Sequence, residues 1–441
     1  MTRAGRNPGM TEARRIFERT LEAIDVRSTL ARKVARNGSF ISCGDSEIDL
    51  RAFREIVVIA IGKAALPMAE GFVNVIAPDL HSEGIAAAPE AWPSPLSGWR
   101  SYIGGHPLPN EQSLAAGRAI LERLSRCGPE SLVIFLLSGG GSALAELPLD
   151  SGLTLADLRA LHAALVSCGA PIEAINAIRK HLSAVKGGRL AAAAPRSTRL
   201  TYAISDVPAG HESALASGPT LPDPTTVDDV LRVVREYGLR ERLPASLGSI
   251  FERQSLVETP KPGDALFTEC QFDLLLGMHD LFHQAHIAAE AEGYVAVCDN
   301  SADGLPLGTA ADSLLQQLET LRRDTPERRV AVIADGEVSS PVTGNGIGGR
   351  NSAFVLVCAE KIAGESITVL SAGTDGVDGN SPAAGAVADG RTLGRALDNG
   401  MDPRDFLKRS DAWNFFCRLG DTLETGPTGI NLRDLRILLG E

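Results

Sequence analysis

Two carboxylates lie three residues apart in the glycine-rich segment Ser371-Ala372-Gly373-Thr374-Asp375-Gly376-Val377-Asp378-Gly379, directly after the apolar run 367–370. Acids so placed can accept a proton or hold a divalent cation. The run before them reads as a buried strand emptying into a loop at a sheet's carboxyl edge, where open α/β sheets bind ligands. A second segment, Ser138-Gly139-Gly140-Gly141-Ser142, follows the run 132–137 and precedes a helical pattern. Consecutive glycines let backbone approach a ligand closely, and the orphan N–H groups of a helix start favour an anion, so this loop is expected to bind phosphate. No Gly-Lys-Ser/Thr follows, which excludes a P-loop. Two cations join these groups. Lys63 ends the run 56–61 in Ile61-Gly62-Lys63-Ala64-Ala65, and Arg350 stands at a helix start after Gly344-Asn345-Gly346-Ile347-Gly348-Gly349, where it suits a phosphate or carboxylate clamp. Lys186 and Arg189 form a further basic cluster at a helix end.

Other chemistries fit poorly. The glycines at 344, 346 and 349 match G-x-G-x-x-G, but no strand runs directly into them and no acid ends the next strand at the expected distance, so the dinucleotide fingerprint is weak. His279, His283 and His286 share a helix face, yet Asp280 stands where HExxH requires Glu; a packed or solvated face is expected there. Gly-x-Ser-x-Gly is absent, because Leu144 follows Gly140-Gly141-Ser142-Ala143.

The elements that must position these groups repeat one pattern. Apolar runs at 56–61, 132–137, 200–204, 329–334 and 367–370 each end in small residues plus a polar group, the third in Ser205-Asp206 and the fourth in Asp335-Gly336-Glu337. Alternation of such runs with helical patterns implies an α/β protein with right-handed crossovers and a largely parallel sheet covered by helices on both faces. The length of 441 residues suggests two domains. We expect an N-terminal Rossmann-like domain over 1–245 and a C-terminal α/β domain over 246–441, with the last fifteen or so residues packing back on the first. Residues 386–400 and 403–409 read as helical.

Composition narrows the partners. A net charge of -12 argues against nucleic acid and anionic membranes, which need a basic face. No apolar run approaches the ~20 residues that span a bilayer, and the basic N-terminus lacks the apolar segment of a signal peptide. Seven dispersed cysteines, never in CxxC spacing, suggest a reducing compartment without disulfides or zinc. A cytoplasmic monomer or homodimer acting on a small molecule is expected.

The motifs together resemble one family, the class II glycerate kinases of the MOFRL type. The matching segments are Ile61-Gly-Lys-Ala-Ala65, Gly104-Gly-His-Pro-Leu-Pro109, Leu137-Ser-Gly-Gly-Gly-Ser-Ala143, His181-Leu-Ser-Ala-Val-Lys-Gly-Gly-Arg189, Ser205-Asp-Val207, Ala216-Ser-Gly-Pro-Thr220, Pro222-Asp-Pro-Thr-Thr226, Gly348-Gly-Arg-Asn351, Thr374-Asp-Gly376 and Thr425-Gly-Pro-Thr-Gly429. They span nearly the whole chain. The resemblance implies a Rossmann-like N-terminal domain, a separate α/β domain, an active site in the cleft between them, and transfer of the ATP γ-phosphoryl group to D-glycerate with Mg²⁺, giving 2-phosphoglycerate. It implies that Lys63 and Arg350 are the essential cations, and that Asp375 either accepts the hydroxyl proton or holds Mg²⁺. It further implies substrate contacts from Glu337, Asn431 and Ser142, metal or nucleotide contact from Asp206, and phosphate contacts from Ser138, Gly139, Gly140, Gly141, Lys186 and Arg189. The chain departs from the family pattern at Asp335, where Gly is usual, and at Thr343, Asn345 and Ile347, where basic residues are usual. Alternative readings are an NAD(P)H-dependent hydroxypyruvate reductase, a kinase for another small hydroxy acid, and a binding protein that kept the cleft without the chemistry.

Overall fold

The computed structural model describes residues 8–441 except 45, 77–81, 206, 208–209, 253–254 and 431. Two site candidates, Asp206 and Asn431, therefore lie outside the described residues. The chain forms two compact units, one comprising Val26–Leu275 and the other Leu276–Glu441 together with the N-terminal 25 residues. The division falls at 275/276 rather than at the expected 245/246.

The unit Val26–Leu275 is built on six strands: β1 (Glu55–Ile61), β2 (Ser82–Ala88), β3 (Trp99–Ile103), β4 (Ser131–Leu137), β5 (Thr198–Ile204) and β6 (Cys270–Leu276). Their order is β3-β2-β1-β4-β5-β6, and the first five pair parallel throughout. Every residue of β4 is buried. A parallel strand covered on both faces needs such an unbroken apolar run rather than an alternating one. On one face Val57, Ile59, Val133 and Phe135 pack against Ala116, Ile120 and Leu124 of the helix Glu111–Leu124. On the other, Phe72 of the helix Ala65–Ile76 meets Tyr202 of β5, ring centroids 6.1 Å apart. A separate helical cluster joins Leu165, Ile178 and Leu182 to Val230, Val234 and Leu247.

The second unit carries β7 (Val295–Asp299), β8 (Val330–Asp335), β9 (Ile367–Gly373), β10 (Gly385–Asp389), β11 (Thr422–Leu423) and β12 (Asp434–Gly440), in the order β7-β8-β12-β9-β10-β11. Only β7 and β8 pair parallel; β12 runs antiparallel to both β8 and β9. The last residues thus form a fully buried central strand of this sheet instead of packing on the first unit. The N-terminal helix Pro8–Ala23 also belongs here, held by Arg15–Glu292 and Arg19–Glu292 ion pairs at 2.7 and 2.9 Å. The expected helix 386–400 is wrong in its first half. Ala386-Val387-Ala388 has helical propensity but is wholly buried between β9 and β11, and that packing decides its conformation. Within 386–409, helices follow only at Thr392–Asp398 and Pro403–Lys408.

Candidate active site

In the first unit, chemistry gathers at the carboxyl ends of β1 and β4, whose two loops interlock. Lys63 N–H donates to the Gly139 carbonyl (2.9 Å), Ser138 N–H to the Ile61 carbonyl (3.0 Å), and Ala64 N–H to Ser138 Oγ (2.9 Å). Gly62, at φ +133°, has no room for a Cβ, which would fall 2.6 Å from the Ser138 carbonyl oxygen. This contact is why glycine must precede Lys63. Ser138 is buried and committed to that bridge, so it builds the loop rather than meeting a ligand. Beyond it, Gly140 turns at φ +81° into the short helix Gly141–Leu144. Among the described residues, the N–H groups of Gly139, Gly140, Gly141 and Ser142 donate to no acceptor. Such a run of amides makes an anion-binding concavity.

The cation beside these amides is Lys63. A methyl group at Gly140 would lie 3.2 Å from Lys63 Cγ and 3.0 Å from His106 Cδ2, so lysine, histidine and loop converge. His106 was not singled out from sequence, although its motif Gly104–Pro109 was. The motif's anchor is a capping box at Asn110 and Ser113, whose Ser113 Oγ also accepts from Gly105 N–H (2.9 Å). Partial burial and the neighbouring Lys63 lower the His106 pKa below its usual value, which favours the neutral imidazole. Ser142 Oγ lies 2.8 Å from Ser217 Oγ, which donates to Asn176 Oδ1 (3.1 Å). Ala216 and Ser217 both adopt positive φ, so the Ala216-Ser217-Gly218 segment holds a strained backbone to deliver this contact.

Two expected phosphate ligands serve the fold instead. Lys186 is 1 % exposed and paired with the equally buried Glu146, which also accepts from Ser183 Oγ (2.5 Å). Burial raises the Glu146 pKa, but Lys186, His162 and Ser183 outweigh it and bring it down to about 2. Arg189 donates to the carbonyls of Val257 and Glu258 (3.0 and 3.3 Å), tying down the segment that follows the helical cluster.

In the second unit, Arg350 heads the helix Arg350–Lys361. Its guanidinium bonds Asp434 through Nε (2.5 Å) and Glu337 through Nη1 (2.8 Å). Burial disfavours the charge, yet these two carboxylates raise its pKa further. Arg433 forms a two-oxygen pair with Asp303 (2.7 and 2.6 Å), whose Oδ1 also accepts from Glu337 N–H (2.8 Å). Thr374 holds the Arg433 carbonyl from both its N–H (3.1 Å) and its hydroxyl (2.8 Å), and Arg433 is left at φ +96°. The threonine of Thr374-Asp375-Gly376 therefore aims this charge network. Asp303, Arg433 and Asp434 are functional candidates that sequence reading missed, because isolated charges in loops carry no pattern.

Asp375 and Asp378, paired in sequence, have different duties. Asp378 is buried and caps the helix that Arg350 begins, accepting from Asn351 N–H (2.9 Å), Ser352 N–H (2.9 Å) and Ser352 Oγ (2.6 Å). The Asn351 and Ser352 amides at this helix start are thus occupied by Asp378. Asp375 is half-buried, with Oδ1 accepting from Val377 N–H (3.1 Å), and its carboxylate and that of Asp434 both approach Gly373: a methyl there would lie 3.0 and 3.5 Å from their Oδ1 atoms. The glycines before Arg350 follow from close approach. A Cβ on Gly344 would sit 2.4 Å from the Arg409 carbonyl oxygen, and one on Gly349 2.3 Å from Asp378 Oδ1. Among the described residues no group of three or more His, Cys, Asp and Glu is arranged as a metal cluster. The three helical histidines join nothing of the sort: His286 pairs with Glu290 at 3.4 Å. All seven cysteines are free, and no helix among the described residues is long and apolar enough to cross a membrane.

An α/β scaffold with an amide-lined anion loop and lysine in one unit, and an arginine–carboxylate network in the other, defines an enzyme-like class that works on small anions. Comparisons sharpen this. Residues 12–252 match the family model described as Domain of unknown function (DUF4147), and 330–434 match the MOFRL family. A D-glycerate 2-kinase of Thermotoga maritima is 35 % identical over 87 % of this chain and 90 % of its own. A protein of Agrobacterium vitis, provisionally named a hydroxypyruvate reductase, is 36 % identical over 87 % of this chain and 86 % of its own. The crystal structure of a glycerate kinase from Thermotoga maritima, 31 % identical, superposes with a TM-score of 0.83 over 98 % of this chain and 99 % of that one. The chain belongs to the MOFRL-type glycerate 2-kinase family.

Proposed function

We propose that this protein is an ATP-dependent glycerate 2-kinase. The 2-hydroxyl oxygen of D-glycerate forms a bond to the γ-phosphorus of ATP, the bond from that phosphorus to the β–γ bridging oxygen breaks, and ADP leaves with 2-phosphoglycerate as product. The hydroxyl proton passes to a base, for which Asp375 and the neutral His106 are the candidates. The observation that carries the reading is the convergence of Lys63 and His106 on the unoccupied amides of Gly139–Ser142, a site for an anionic oxygen, in a chain of this family. Phosphoryl transfer needs positioning and charge neutralisation above all, and Lys63 and Arg350 supply both.

Mg²⁺ is the expected metal. It binds through one or two carboxylates and otherwise through substrate phosphates and water. The hard oxygens of Asp375, beside Asp434, fit such an ion, which would neutralise phosphate charge. The neutral surroundings of a reducing cytoplasm suit the free thiols.

The reductase reading needs a dinucleotide at the 344–349 glycines. Those glycines are explained by packing, and the amides that would receive a pyrophosphate are capped by Asp378, so the kinase reading is favoured. The test is a set of single substitutions. Lys63→Ala, Arg350→Ala and Asp375→Asn should each lower glycerate-dependent ADP release by about 10³-fold or more with unchanged circular dichroism. Wild-type rates in a folded Arg350→Ala protein would remove that assignment.

A further inference from the structure

A cleft of about 1130 Å³ lies wholly within the second unit, alongside the helix Arg350–Lys361. Arg350, Ala353 and Val357 line it from one helix face, at positions i, i+3 and i+7. At 1.5 Å per residue, the cleft follows this helix for about 10 Å from its charged end to its apolar end. Arg350, Asp375 and Asp434 supply charged lining, and Val342 and Leu407 join Ala353 and Val357 as apolar lining. Val342 is 84 % exposed, an unusual state for a valine lining a concave site.

Size and polarity select the occupant. Pockets for drug-sized ligands run to roughly 300–1,000 Å³, so a three-carbon acid would leave most of this cleft empty. The loop along its floor cannot cradle phosphate. Gly346 N–H donates to the Arg409 carbonyl (2.9 Å), Ile347 N–H to Asp411 Oδ1 (2.9 Å) and Gly348 N–H to Asn380 Oδ1 (2.9 Å). With these donors engaged, the loop offers peptide backbone rather than a ring of free amides, a surface on which a planar ring can lie. Asn345, also lining the cleft, is exposed and carries a side-chain amide able to read a ring edge.

We propose that this cleft is the nucleoside subsite of the phosphoryl donor, with the base and ribose between Val342 and Val357 and the phosphates toward Arg350 and Asp375. The inference rests on the kinase reading but is tested by binding, which does not require turnover. Titration of the full-length protein with N-methylanthraniloyl-ADP gives the affinity. Val357→Trp, which fills the apolar end, should weaken it at least tenfold and raise the KM for ATP equally, with the KM for glycerate within twofold of wild type. Photolabelling of the unmodified protein with 8-azido-ATP, followed by peptide mapping, guards against misfolding of that variant and should place the label within 340–361 or 407–412. Unchanged nucleotide affinity in a folded Val357→Trp protein, or a label confined to residues 26–275, would overturn the subsite while leaving the kinase reading intact. Nucleotide binding at the cleft without glycerate phosphorylation would keep the subsite and overturn the kinase. A protein that binds no adenine nucleotide would overturn both.

Discussion

Asp335 shows how a single residue can be chemically exposed by burial. It ends β8 with no solvent access, and neither carboxylate oxygen has a hydrogen-bond partner among the described residues. Burial pushes its pKa up to about 6, opposed by Arg433 and Arg436 and reinforced by Asp303. A carboxyl raised above its unfolded value favours the folded state while protonated, and that contribution is lost as pH rises through about 6. Asp335→Asn should therefore stabilise the protein by about 1–3 kcal/mol at pH 7, and by little near pH 4. Denaturant titrations at the two pH values measure this; equal effects at both would refute the burial argument. Glu146 behaves oppositely. Its pKa is held down to about 2, so the Lys186 pair adds stability above the ordinary carboxylate pKa and loses it as pH falls toward 2. Lys186→Met strands that carboxylate and should cost about 3–5 kcal/mol, read as a lowered Tm, whereas a phosphate ligand would move KM and leave Tm alone. Lys63, Arg350 and Asp375 could be picked out in sequence because each ends or starts an element beside glycines. Lys186 looked the same there, since burial and the distant Glu146 partner leave no local trace.

At the scale of elements, what was readable was whatever depends on local pattern. The apolar runs 56–61, 132–137 and 200–204 are strands, and the loops after the first two carry Lys63 and the amides of 139–142. What escaped was set by tertiary packing. Gly385–Asp389 is a strand despite its alanines, and Asp434–Gly440 enters the sheet centre between strands that precede it by some sixty to a hundred residues. The glycines before Arg350 mimic a dinucleotide fingerprint, yet they are required by the backbone of 409–411 and by the Asp378 cap. Gly349→Ala makes this testable. Its Cβ would press on Asp378, loosening a cap worth about 0.5–2 kcal/mol and shifting Arg350. The expected outcome is a lower Tm together with a fall in kcat; a fully active protein of wild-type Tm would show that the cap does not position Arg350.

For the whole molecule, the residues assigned to the kinase reading are divided between the two units: Lys63, His106 and the amide loop belong to one, the Arg350 network and Asp375 to the other. The account therefore requires both units for one reaction, and single substitutions in either should abolish the same activity. The sequence length pointed to two units, but their division was hidden, because the N-terminal helix joins the C-terminal unit through ion pairs to Glu292, at the end of the helix Met278–Ala291, that no local pattern announces. The most direct test of the central claim is phosphorus NMR of the purified full-length protein incubated with ATP, Mg²⁺ and D-glycerate. The account predicts ADP and the resonance of 2-phosphoglycerate in equal amounts. A 3-phosphoglycerate resonance, or no phosphorylated product while NAD(P)H is oxidised in the presence of hydroxypyruvate, would contradict it.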